Sequence, residues 1–306
     1  MLKDLLVSDP YSNSTSNSTM IWDNFKVELT YHSVFLAAIG FWLFIMWNAV
    51  MHQNTIQVWS INCFNIGLLV YSALQIIQTN SDLKSVQKIL EDKDRADDIG
   101  YFLAAQIILP CIFGLFIPVY AWLSYKLTKE FDWRMYRITG GVGSTNSALR
   151  TYFMHQLFMK FSIFFGSGFL ILDLVLTSVS NTGIILIPII GSIIGLVAGL
   201  SGYYGARRSS FWLIITHCVC CIGSFAYVIV RVHDAFSRGG AYLDRAKIPL
   251  VVYAVTTECL LIATVVYAVL VFRNFWHRKI DLTGVLDKEQ LIRSEKYTRP
   301  ATSLDD

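Results

Sequence analysis

Charged residues are scarce in this chain of 306 residues: they make up 15% of it, whereas hydrophobic residues make up 54%. A soluble domain usually contains about 25% charged residues, because its surface has to be polar. The apolar residues are also collected into long runs, each close to the roughly 20 residues with which a helix crosses a bilayer core. The scarcity of charge therefore excludes a soluble protein and predicts an integral membrane protein.

Other features that the sequence lacks narrow the class of membrane protein further. The apolar runs do not alternate in polarity, and each is about twice the length of a transmembrane barrel strand, which favours helices over a barrel. All six cysteines fall inside apolar runs, so no disulfide framework is expected. The net charge of +3 is small and spread along the chain, so nucleic acid is not expected as a partner. The first 30 residues are polar, so no cleavable signal peptide is predicted.

The sequence thus predicts an all-α protein, a polytopic membrane helix bundle with seven transmembrane helices. The spans are expected at about residues 33–51, 58–77, 101–125, 157–178, 184–204, 209–231 and 249–272. A polar tail, residues 1–32, precedes this transmembrane domain of residues 33–272, and a second tail, residues 273–306, follows it. The lipid bilayer is the first partner that this organisation implies.

The distribution of lysine and arginine orients the bundle. With the N-terminus lumenal and the C-terminus cytosolic, the inner segments hold more Lys and Arg than the outer ones, as the positive-inside rule requires. The first tail also contains two N-glycosylation acceptors, Asn13-Ser-Thr and Asn17-Ser-Thr, which are modified only on the lumenal side. A tail rich in Ser and Asn also forms such triplets by chance. The lumenal N-terminus is nevertheless the orientation that both features favour.

The fifth predicted span carries a stripe of small residues, Gly191, Gly195 and Gly199. Glycines at this spacing let helix backbones approach closely, and such packing holds helices together in lipid. The interpretation that we favour is a tight contact inside the bundle. The alternative is a homodimer that forms through the same face.

Two charged residues interrupt the fourth predicted span, which contains the stretch MKFSIFFGSGFLILDLVL. A charge at the bilayer centre costs about 2.5–3.5 kcal/mol on insertion scales. Lys160 lies near the inner end, so its long stem is expected to carry the ammonium group to the interface. Asp173 has a short side chain and lies on nearly the opposite face of the helix. It is therefore expected to meet a partner from another helix.

Two residues at a similar predicted depth are candidates for that partner. Glu258 lies in the outer half of the seventh span, and Arg231 closes the sixth span at the outer end. Asp173, Glu258 and Arg231 therefore form a predicted intramembrane polar cluster. One interpretation is a proton or cation site that is reached from the outside. The other, which we favour, is a structural cluster that holds helices four, six and seven in register.

Two further motifs give weaker indications of a site. Helical spacing places His217, Cys220 and Cys221 on one side of the sixth span, but core cysteines usually behave as small hydrophobes, so neither a metal nor a cofactor is expected. In the second tail, Asp287, Leu291 and Ile292 form the pattern of an acidic dileucine signal, which would bind cytosolic sorting adaptors.

A resemblance to a known family rests on four segments. These are KEFDWRMYRITG, YFMHQLFMKFSIFFGSGFLI, YYGARRSSFWLIITHCVCCIGSFAYVIVRV and VLVFRNFWHRKI. With their spaced aromatic and basic residues, such as Phe131, Trp133, Lys160 and Arg273, they resemble an uncharacterised family of fungal Golgi apparatus multi-pass membrane proteins. The resemblance covers roughly residues 30–280. It implies a Golgi membrane location and supplies no mechanism or active-site residues.

Three functions follow from these observations. The first is a Golgi or other endomembrane protein with a structural, trafficking or scaffold role. The second is a secondary transporter coupled to protons or cations through Asp173 and Glu258. The third is a seven-helix receptor of the plasma membrane, of the G-protein-coupled type. The third span of such receptors ends in an acidic-Arg-aromatic triplet, whereas here it ends in SYK. No nucleophile–base pair or metal constellation stands out, so an enzyme is not expected.

Overall fold

The computed structural model of this protein describes residues 14–90, 96–179, 186–208, 210–237, 241–276 and Gly284. Seven long α-helices account for nearly all of them, and no strand occurs in these ranges. The helices are α1 Ser14–Met51, α2 Thr55–Leu90, α3 Ala96–Thr139, α4 Gly143–Val179, α5 Leu186–Arg208, α6 Phe211–Ser237 and α7 Ala241–Trp276. The predicted all-α class is confirmed.

Each helix contains a stretch that is long and apolar enough to cross a membrane. These stretches are His32–Met51, Thr55–Ala73, Ile107–Arg137, Gly143–Thr177, Leu186–Arg208, Phe211–Ser237 and Pro249–Asn274. All seven overlap the predicted spans, so their number and order are confirmed. Several helices are longer than predicted, because a helix that continues past the apolar run keeps its backbone hydrogen bonds satisfied.

Two of the connections are tight turns. Thr139 ends α3 and Gly143 begins α4, and Gly140 and Gly141 between them have φ angles of 62° and 76°. Glycine adopts such angles without a steric penalty, which explains the Gly-Gly pair at this point. At the α1–α2 turn, the Asn54 side-chain oxygen accepts the backbone N–H group of Ile56 at 3.0 Å. Asn54 therefore caps the N-terminus of α2.

The chain divides into two compact units, one of which comprises residues 38–137. Its core contains Ile45, Ala49, Val58, Ile61 and Phe131. Polar side chains, one pair buried and one at the surface, link α2 to α3 within it. The Asn62 amide donates to the Ser124 hydroxyl at 2.7 Å, and the Trp59 indole donates to the Thr128 hydroxyl at 3.1 Å. Such interhelical hydrogen bonds allow polar residues such as Asn62 to lie within an otherwise apolar helix.

The other unit comprises residues 1–37 and 138–306. In it α4 packs along α7, α5 packs along α6, and α6 also contacts α7. The register between α4 and α7 is set by close contacts: the Ser162 and Thr264 hydroxyls are 2.9 Å apart, and a Cβ on Gly168 would lie 2.6 Å from the Tyr253 ring. All the site residues described below belong to this unit.

Candidate functional site

A buried ion pair joins α4 to α6. Arg231 donates from Nε to both carboxylate oxygens of Asp173 at 2.9 Å and from Nη2 to Oδ1 at 2.7 Å. Asp173 is 3% exposed and Arg231 is 4% exposed. The Tyr227 hydroxyl donates to Asp173 Oδ2 at 2.8 Å, and Arg231 Nη2 also donates to the Thr177 hydroxyl at 2.5 Å. These hydrogen bonds all join side chains of α4 to side chains of α6.

The spacing of these residues explains why the contact is specific. Asp173 and Thr177 are four residues apart on α4, and Tyr227 and Arg231 are four residues apart on α6. Residues at this spacing lie on the same helix face, so each helix presents two adjacent polar groups to the other. Tyr227 and Thr177 were missed in the sequence analysis. Their spacing from Arg231 and Asp173 is the signal that could have identified them.

Glu258 does not belong to this network, which corrects the predicted cluster of three residues. It is half-buried in α7, and both its carboxylate oxygens are buried without a hydrogen-bond partner among the described residues. Its neighbour Thr257 faces Gly166, which lies seven residues before Asp173, or about 10 Å along α4. Leu250 packs in the same core cluster as Leu172. The α4–α7 register therefore places Glu258 deeper in the bundle than its position in the span suggested.

A cavity of about 540 Å³ lies between α4, α5, α6 and α7. Its wall is mostly apolar and includes small residues of α5 and aliphatic residues such as Ile163, Leu170 and Leu261. Ligand pockets usually measure about 300–1,000 Å³, so this cavity has the size of a binding site. The cavity could not be predicted from the sequence, because a space between helices depends on their relative register.

Lys160 lies in the wall of this cavity. The depth of Lys160 follows from its neighbour Met159, whose sulfur would be 3.0 Å from a Cβ on Gly202. Gly202 precedes Arg208, the last residue of α5, by six residues, or about 9 Å. Lys160 therefore lies near the end of α5 that carries Arg207 and Arg208. The extension of its ammonium group to the interface stays a prediction.

The glycine stripe of α5 faces the interior of this unit. A Cβ on Gly191 would lie 3.1 Å from Tyr227 and 3.2 Å from Leu170, and one on Gly199 would lie 3.0 Å from Ile163. Gly195, between them, has no such neighbour within 4 Å and lines the cavity. The face that the sequence offered for homodimerisation thus packs against α4 and α6 of its own chain.

His217 contacts the neighbouring helices α5 and α4 and lines the cavity. Its Nδ1 lies 2.8 Å from the Ala198 carbonyl oxygen, and the Cys221 sulfur lies 3.7 Å from its Nε2. The His155 ring lies 5.6 Å away, edge to face. In the part of the chain that the structure describes, no three His, Cys, Asp or Glu side chains come together in a group that could hold a metal ion.

The remaining predicted sites fall in the tails. Asn13, Asp287, Leu291 and Ile292 lie outside the described residues. Asn17 lies near the start of α1, but its side chain is not among those described. The two glycosylation acceptors and the dileucine pattern therefore stay predictions.

Comparison with known proteins identifies a relative. A UPF0658 Golgi apparatus membrane protein of Schizosaccharomyces pombe is 22% identical to this chain over 276 residues, which cover 83% of this chain and 76% of the relative. This chain is a homologue of that Golgi protein. The resemblance and the Golgi membrane location predicted from the sequence are thereby confirmed. No protein-family model matches the chain, and no solved structure matches it.

Proposed function

We propose that this protein is a non-enzymatic Golgi membrane protein with a structural, trafficking or scaffold role. The observation that carries the proposal is the Asp173–Arg231 pair. A carboxylate that transports ions has to exchange a proton or cation during a cycle. Here both Asp173 oxygens are occupied by Arg231 and Tyr227 at hydrogen-bonding distance. This arrangement supports a permanent link between α4 and α6, which is the property that a scaffold needs.

The proposal includes the orientation predicted from the sequence. The first tail is lumenal and glycosylated at Asn13 or Asn17, and the second tail is cytosolic, where the dileucine pattern is accessible to sorting adaptors. The test is a glycosidase-dependent shift in electrophoretic mobility. The wild-type chain should show the shift, and the Asn13→Gln/Asn17→Gln double variant should not. A shift that persists in the double variant, or a first tail that is digested by protease added from the cytosolic side, would contradict this topology.

One observation favours a proton-coupled transporter as a second candidate. Glu258 lies within the apolar stretch Pro249–Asn274, and neither of its oxygens has a hydrogen-bond partner among the described residues. Ionisable residues inside a membrane often mark proton pathways. The transporter hypothesis therefore depends on Glu258 alone, because Asp173 is already paired.

A single substitution separates the two candidates. We expect deletion of the protein to change the distribution of Golgi-resident proteins, and we expect Glu258→Gln to restore that distribution as fully as the wild type does. The matched control is Cys259→Ser, at the neighbouring exposed position of α7. Proton flux into isolated Golgi vesicles should be the same for both variants and the wild type. If Glu258→Gln alone abolishes a flux that wild-type vesicles show, the transporter replaces the scaffold.

A further inference from the structure

The cavity between α4, α5, α6 and α7 reaches the exposed side of α5. Leu196 and Leu200 line the cavity, and they are also 66% and 60% exposed. α5 is one of the helices long and apolar enough to span the membrane, so these exposed leucines face lipid. The cavity therefore borders the bilayer, and a lipid can enter it without crossing water.

The length of the cavity corresponds to one leaflet. Its wall on α5 extends from Gly191 to Tyr203, a separation of twelve residues. At about 1.5 Å per helical residue this is about 18 Å. Half of a hydrocarbon core of roughly 30 Å is about 15 Å, so the cavity matches the length of one extended acyl chain.

Basic residues lie at one end of the cavity. Lys160 and Tyr203 both line the wall, and Arg207 donates to the Tyr203 hydroxyl at 3.3 Å. Arg208 follows directly in the sequence. None of the described residues that line the cavity is acidic. Basic groups at the membrane-surface end of a pocket between transmembrane helices favour anionic lipid headgroups.

Polar groups in the wall leave room for further hydrogen bonds. Gln156, which is 6% exposed, and Thr257, which is 3% exposed, both line the cavity. Gln156 Nε2 and Thr257 Oγ1 are buried without a hydrogen-bond partner among the described residues. Buried polar groups are nearly always hydrogen-bonded in native proteins. These two groups can therefore form hydrogen bonds with the polar part of a ligand in the cavity.

We propose that this cavity binds one anionic glycerophospholipid, with an acyl chain between α4, α5, α6 and α7 and its phosphate beside Lys160 and Arg207. In the predicted topology the lipid comes from the cytosolic leaflet. The proposal goes beyond a scaffold role, because it assigns a ligand to the bundle. It does not depend on the state of Glu258.

The first experiment blocks the cavity in the full-length protein. Gly195→Leu inserts a side chain where a Cβ meets nothing within 4 Å, and Gly223→Leu makes the same change on α6 at a position that is equally open and does not line the cavity. Phosphatidylserine binding is measured by native mass spectrometry in detergent, with phosphatidylcholine of the same acyl composition as reference. We expect Gly195→Leu to lose the bound phosphatidylserine and Gly223→Leu to retain it. Equal binding by both variants would overturn the proposal.

The second experiment tests the headgroup site. Removing each basic residue should lower phosphatidylserine affinity by about fivefold, on the basis of the usual attraction of one Lys or Arg to an anionic membrane surface. Lys160→Gln and Arg207→Gln should show this loss, whereas phosphatidylcholine, whose choline ammonium offsets its phosphate charge, should lose less affinity. The control is Arg150→Gln, an exposed residue of α4 that does not line the cavity. Equal loss in the control, or no preference for phosphatidylserine over phosphatidylcholine in the wild type, would refute the assignment of the headgroup.

The third experiment needs no variant, so it remains decisive if a substitution prevents folding. Phosphatidylserine with a photoactivatable group on its acyl chain is crosslinked to the wild-type protein, and the modified residues are mapped by mass spectrometry. We expect the crosslinks to concentrate on buried residues of the cavity wall, such as Ala198 and Leu261, which bulk lipid does not reach. Crosslinks spread equally over exposed residues outside the cavity, such as Val219 and Ile222, would show ordinary bilayer contact and contradict a specific site.

Discussion

Two regions of the unit that contains α4, α5, α6 and α7 use the same helices in opposite ways. In the region around Asp173 and Arg231, charged and hydroxyl groups from α4 and α6 hydrogen bond to one another. In the region around Gly195 and Lys160, small residues face a cavity and leave it open. The difference shows that the first region fixes two helices together, whereas the second leaves space for a ligand. Four substitutions test this contrast.

The largest effect is expected from Arg231→Met. The change leaves the Asp173 carboxylate buried without its charged partner, and breaking a buried pair in this way costs about 3–5 kcal/mol. The purified protein should unfold at a markedly lower temperature in detergent. The control is the Asp173→Leu/Arg231→Met double variant, which removes both charges and should recover much of the loss. If the double variant is no more stable than Arg231→Met, the two residues do not form the link described here.

Gly168→Ala should have the next largest effect. The new Cβ would lie 2.6 Å from the Tyr253 ring, so the buried ring or the helices would have to shift, which typically costs about 1–3 kcal/mol. The matched control is Gly195→Ala in the open region, where a Cβ meets nothing within 4 Å and where alanine is the better helix former. Thermal unfolding of the two variants should therefore shift in opposite directions. Equal destabilisation would show that the open region is packed as closely as the rest.

Tyr227→Phe should have a smaller effect than either. It removes the hydroxyl that donates to Asp173 Oδ2 but leaves the three Arg231 hydrogen bonds in place. Hydrogen bonds between membrane helices contribute about 0.6 kcal/mol on average and at most about 1.7 kcal/mol. Thermal unfolding should show a loss in this range, and in the Arg231→Met background the loss should be larger, because Tyr227 is then the remaining donor from α6. Additive losses would indicate that the two residues act independently.

The smallest effect is expected from Ser162→Ala. Its hydroxyl lies 2.9 Å from the Thr264 hydroxyl, but it also donates to the Phe158 carbonyl of its own helix at 2.8 Å. The Thr264 hydroxyl likewise donates to the Leu260 carbonyl at 2.7 Å. Since each hydroxyl is satisfied within its own helix, the loss in unfolding free energy should be about 0.6 kcal/mol or less. A loss of several times that value would make Ser162 part of the link between helices.

The helices could be predicted from the sequence because their signals are local. Seven apolar runs of sufficient length give seven helices whatever their neighbours are, since each helix satisfies its own backbone hydrogen bonds in lipid. The need of Asp173 for a partner also follows from local chemistry, because its short side chain does not reach water. Arg231, a cation at the outer end of another span, was one of the two candidates for that partner, and the structure places it beside Asp173.

The identity of the partner of Asp173 and the existence of the cavity depend on how the helices are aligned along one another. Positions counted from the ends of the spans place Glu258 at the depth of Asp173. The contacts of Gly168 with Tyr253 and of Ser162 with Thr264 set a different register. A shift of a few residues between two helices moves a side chain by several ångströms, and no local pattern records it. The apolar runs of the sequence thus determine that the chain spans the membrane seven times. The packing of α4, α5, α6 and α7 against one another decides that Asp173 is paired with Arg231, that Glu258 has no hydrogen-bond partner among the described residues, and that a cavity lies beside Lys160.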